Sequence, residues 1–128
     1  MHPAPPFALD EPRIAFPALL QRAARTPLGG GREALWALWM LARLAAGAAK
    51  GALPDDVRAA RAAAARGWLS ALSLAPTLRP LVLRAAELSA GPPGPLAEAL
   101  GGVIQVTSAH LDRATAAELQ ALLHELGT

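Results

Sequence analysis

Cysteine is absent from the 128-residue chain, and with it go disulfide frameworks, thiolate zinc centres and cysteine nucleophiles. Tyrosine is missing too, so no phenol can serve as a proton donor, and all aromatic residues together make up 4%. β-Branched residues, which suit a pleated sheet, are also scarce. No apolar run reaches the roughly 20 residues that a membrane-spanning helix needs. The most membrane-like window, Ala34 to Ala49, is interrupted by Arg43, which excludes a membrane span. The start of the chain, Met1-His2-Pro3-Ala4-Pro5-Pro6, lacks a positive run followed by an apolar stretch. It does not read as a secretory signal, and the expected location is the cytoplasm.

What remains is rich in alanine and leucine, with an apolar fraction of 53%. These residues favour helix, and a chain of this length suits one domain with one core. The expected fold is therefore all-α, a compact bundle of five or six helices in a single domain spanning 16–128, behind a proline-rich arm at 1–15. Proline and glycine mark the breaks. Pro17 suits the first turn of a short helix carrying Phe16, Leu19, Leu20 and Ala23 on one face. The longest segment runs from Arg32 to Lys50 with Leu35, Leu38, Leu41, Ala42 and Ala45 as its stripe, and Gly51 suits its C-terminal cap. Pro54 followed by Asp55 and Asp56 is a strong start for a third helix, since carboxylates favour the positive end of the helix dipole. That helix is expected to stop at Pro76 and to bury Val57, Ala60, Ala64, Trp68 and Leu72.

Thr77 suits the cap of a fourth helix bearing Leu78, Leu81, Val82, Ala85 and Leu88, closed by a loop from Gly91 to Pro95. Val103 to Thr107 has the β-branched look of a strand, but Leu96, Ala99, Leu100, Val103 and Val106 share one helical face, and a lone strand would lack a partner. Helix is the better assignment. In the last segment Thr115 and Glu118 have the spacing of a capping box, ahead of a stripe of Leu119, Leu122, Leu123 and Leu126.

Charge is unevenly divided. Residues 13–84 carry eleven of the twelve basic side chains against only Glu33, Asp55 and Asp56, whereas residues 85–128 set Arg113 against Glu87, Glu98, Asp112, Glu118 and Glu125. Such a division either steers an anionic partner or lets the two halves attract one another, within one molecule or between two.

Catalytic inventory is thin. The histidines are His2, His110 and His124, too far apart in sequence to converge as metal ligands on one helix, and no serine sits in a nucleophile turn. Asp55-Asp56 is explained by its helix start. Gly29-Gly30-Gly31-Arg32 would offer amides and a guanidinium to a phosphate, yet no Walker lysine follows, so an interhelical loop is the simpler reading. Nothing in the inventory argues for an enzyme, and none of it calls for a cofactor or metal.

Two candidate surfaces remain. Arg32, Trp36, Trp39, Arg43 and Lys50 fall in one sector of the second helix, opposite its leucines, and Arg58 and Arg66 on the next helix would widen such a face. As a surface it would bind nucleic acid or another anion, arginine neutralising phosphate while tryptophan stacks. As a covered face it would instead be structural, with guanidiniums stacked on indoles. The leucine seam Leu119, Leu122, Leu123 and Leu126 either pairs with another copy or closes the monomer's core. The expected function is accordingly a non-enzymatic protein-interaction or oligomerisation module, a homo-oligomer or the subunit of a larger assembly. The alternative is an anion-binding domain.

Overall fold

A computed structural model describes residues 16–26, 30–49 and 53–127. The proline-rich arm, Lys50 and Gly51 lie outside them. Among the described residues six helices follow one another: α1 (Pro17–Arg25), α2 (Gly30–Ala48), α3 (Asp55–Ser70), α4 (Arg79–Leu88), α5 (Pro93–Thr107) and α6 (Arg113–Gly127), with a 3-10 turn at Ser108–His110. Among the described residues there is no strand, and no helix is long and apolar enough to cross a membrane.

The organising element is α2. It packs against α1, α3, α4, α5 and α6, so it is a central helix wrapped by its neighbours. Its leucine stripe is buried as expected, but so are Ala37, Trp39, Met40, Arg43 and Leu44 on its other sides. A helix apolar all round belongs inside a fold rather than on its surface.

The local signals place most helix limits, and where they miss, tertiary contacts decide. Pro54 precedes α3 as expected, with Asp55 and Asp56 in the first turn. The helix ends at Ser70 rather than Pro76, because Arg79 reaches back to the carbonyls of Ser70 at 2.9 Å and Leu72 at 3.3 Å and closes its end. Its buried face is Ala62, Ala65, Trp68 and Leu69. Of the expected stripe, Val57, Ala60 and Ala64 are exposed, while Trp68 and Leu72 are buried. α4 begins at Arg79 with Leu78 at the cap position and Pro80 in the first turn, so Thr77 does not cap it. The expected loop from Gly91 to Pro95 is shorter: α5 starts at Pro93 and takes both Pro93 and Pro95 into its first turn, where a missing N–H costs nothing. Val103 to Thr107 is helical, with Val103 and Ile104 in the core.

The start of α6 corrects the capping box. The Asp112 carboxylate accepts the Thr115 backbone N–H at 2.9 Å, so aspartate is the cap and Thr115 lies inside the helix, fully buried. Hydrogen bonding by Thr115 holds the Asp112 carboxyl below its ordinary 3.8, and nearby Arg22 and Arg25 act in the same direction. Glu118 has a longer reach: both of its oxygens accept the backbone N–H of Ala18, at 3.0 and 2.9 Å. It satisfies an amide at the start of α1, a hundred residues earlier, where the dipole favours negative charge.

Candidate functional site

The tryptophan and arginine sector of α2 lies mostly inside the molecule. Trp39 and Arg43 have no exposed surface, Trp36 is half-buried, and Trp68 from α3 is 6% exposed. The indoles form a chain: Trp36 meets Trp39 edge to face at 5.3 Å between centroids, and Trp39 meets Trp68 at 6.4 Å. The Arg43 guanidinium carbon sits 4.9 Å from the Trp39 ring centroid, within cation–π range. This is the geometry of the covered reading. A phosphate or nucleobase has no access to Trp39 or Arg43.

The other basic candidates serve the backbone at separate places. Arg32 donates from Nε to the Thr26 carbonyl at 2.6 Å and from its terminal nitrogen to Ala24 at 3.1 Å, closing the end of α1. Gly30 and Gly31 already belong to α2, and a Cβ on Gly31 would come within 3.2 Å of the His110 ring, so this stretch is a packed helix start. Arg58 donates to Gly91 at 2.7 Å and pairs with Asp55 at 2.6 Å. It thereby ties the start of α3 to the turn between α4 and α5. Arg66 pairs with Glu87 of α4 at 2.9 Å. Arg32 stands at the first turn of α2, whereas Arg58 follows the loop leaving its far end, about 24 Å along the helix. These cations do not converge on one surface.

The leucine stripe of α6 is likewise internal. Leu119, Leu122 and Leu126 are buried and join the common core, and Leu123 is half-buried at its edge. His124 is exposed, and the His110 carbonyl accepts from Arg22 at 2.7 Å. Among the described residues no three histidine, cysteine or acidic side chains are placed to hold a metal ion.

One site was not foreseen. The outer side of the α4–α5 pair carries an open groove of about 320 Å³. Leu81, Arg84 and Leu88 line it from α4, and Pro95, Glu98, Ala99 and Gly102 from α5. Only residues 89–92 join the two helices, so they run as antiparallel neighbours. Leu88 then faces Pro95 near the turn, Arg84 faces Glu98 and Ala99 midway, and Leu81 faces Gly102 at the open end. Val106, one turn further along the same line of α5, is 51% exposed, the most exposed large apolar residue described. A Cβ added to Gly102 would meet nothing within 4 Å.

The charges at this groove stand apart from most others. Arg25 with Asp112 and Arg66 with Glu87 pair the basic part of the chain with the acidic part inside the molecule. Arg84 and Glu98, both exposed, have no hydrogen-bond or ion-pair partner among the described residues. The sequence signal for this site was present: Leu81, Arg84 and Leu88 recur at helical spacing, as do Pro95, Ala99, Gly102 and Val106. A stripe alone does not tell which of two apolar faces the core takes.

No protein-family model, no curated protein and no solved structure matches the chain.

Proposed function

We propose that this chain is a non-enzymatic helical interaction module that assembles with copies of itself. The observation that carries the reading is the groove between α4 and α5, an open apolar trough whose walls bear opposite charges with no partner among the described residues. Covering apolar surface favours association by roughly 25 cal/mol per Å². The fate of the other cations supports the same reading. An anion-binding face needs accessible guanidiniums, and Arg32, Arg58 and Arg66 are engaged with carbonyls or carboxylates of the fold, while Arg43 is enclosed.

The test is sedimentation velocity of the full chain from about 1 µM to about 1 mM, a range that brackets weak association, at low and high salt and with mixed-sequence nucleic acid. The expected result is a concentration-dependent rise in mass that nucleic acid leaves unchanged. A chain monomeric throughout, or one whose dominant behaviour is nucleic-acid binding with a steep salt slope, would overturn the reading.

A further inference from the structure

We infer that the α4–α5 groove is the contact face of a two-fold dimer, in which Arg84 of each copy pairs with Glu98 of the other. The inference rests on the self-association proposed above and adds the face, the symmetry and the residues that set it.

Three observations carry it. The trough is apolar along its length, from Leu88 and Pro95 at the turn to Leu81 and Gly102 at the open end, and the exposed Val106 prolongs it. Its two charges, which have no partner among the described residues, have opposite signs, sit on opposite walls and lie at its midpoint. A two-fold contact demands this self-complementarity, because residue i meets j while j meets i around an axis through the middle of the patch. A half-turn about an axis that runs along the trough lays α4 of each copy on α5 of the other, Leu81 of one toward Gly102 of the other, and brings each Arg84 to a Glu98. Gly102 supplies the third observation. Glycine is a poor helix former, and among the described residues nothing lies within 4 Å of where a Cβ would stand, so at this face it permits the close approach of a second helix.

The division of charge along the sequence acquires a meaning here. Arg84 is the last cation of the basic part, and Glu98 belongs to the acidic part that follows. The contacts Arg25–Asp112 and Arg66–Glu87 join these parts within a molecule; Arg84 and Glu98 join them between molecules. The face is small. α5, the longer helix, is about 22 Å long and two helices side by side are roughly 20 Å wide, which places the contact in the weak, concentration-dependent class.

Charge reversal tests the geometry, and both positions are exposed. In Arg84→Glu homodimers each introduced carboxylate faces Glu98 of the other copy, and in Glu98→Arg homodimers each new guanidinium faces Arg84. Each variant alone should weaken dimerisation by about tenfold or more. An equimolar mixture of the two contains only opposite-charge contacts in the heterodimer and should dimerise as the unaltered chain does. The double variant Arg84→Glu with Glu98→Arg should also dimerise, and circular dichroism checks that every variant keeps its helix content. Two single variants that dimerise normally would overturn the face while leaving self-association standing. Loss in the singles without recovery in the mixture would overturn the two-fold pairing. An unaltered chain that stays monomeric would overturn this inference together with the function it rests on.

Discussion

Replacing Gly67 or Gly102 by alanine should stabilise the isolated fold. Both glycines lie inside helices, neither has a positive φ, and a Cβ built on either meets no atom within 4 Å. No steric cost therefore opposes the helix-propensity gain of about 1 kcal/mol for glycine to alanine. For a domain of this size 1 kcal/mol corresponds to a rise in Tm of about 3–5 °C, and the double variant should reach about 2 kcal/mol, since the sites lie on separate helices without shared partners. Gly47 is the internal control: its Cβ would come within 2.8 Å of a Leu53 methyl, so displacement of that side chain offsets the gain. Thermal and urea melts followed by circular dichroism at low micromolar concentration would read the effects apart from self-association. A lower Tm for Gly67→Ala or Gly102→Ala, or a gain for Gly47→Ala as large as theirs, would refute the reasoning.

Leu119 is fully buried in the core, so Leu119→Ala should cost about 2–5 kcal/mol in urea unfolding, whereas the half-buried Leu123 should tolerate Glu with the helix content intact. Trp39 and Trp68 are buried while Trp36 is half-buried; native emission should be blue-shifted, iodide should quench only a minor component, and quenching of the whole emission would contradict the packing. Asp112 has its carboxyl lowered in the folded state, chiefly by Thr115, so its contribution to stability is complete above its unfolded value and is lost as pH falls through the folded one. Asp112→Ala should therefore lower stability near neutrality and flatten the acid limb of a pH–stability curve, and an unchanged acid limb would count against that linkage.

How far the sequence discloses this fold depends on which forces act locally. Pro17 and Pro54 mark helix starts by backbone chemistry that needs no neighbour, and α1 and α3 begin beside them; the run from Gly91 to Pro95 reads as loop instead, although α5 already begins at Pro93. The face that each helix buries is a tertiary matter. On α2 the leucine stripe implies an opposite polar side, yet five helices surround it, and Trp39 and Arg43 are as enclosed as the leucines. On α3 the packing of α2 and α4 turns Ala62, Ala65 and Leu69 inward in place of Val57, Ala60 and Ala64. The groove was hidden for the converse reason: α4 and α5 each bury one apolar face and leave part of a second uncovered, and only the assembled hairpin reveals which.

The reach of Glu118 to Ala18 also governs how this chain is born. α2 finds its full cover only when α5 and α6 are present, because it packs against both, and the amide at the start of α1 meets its carboxylate only when α6 is in place. On a ribosome the leucine-rich centre of the molecule therefore emerges well before the segments that enclose it, and the fifteen residues of α6 add the side of that cover that α5 leaves open. A nascent chain stalled before residue 113 carries an uncovered side of α2, the kind of surface that chaperones bind and that drives aggregation when synthesis is slow.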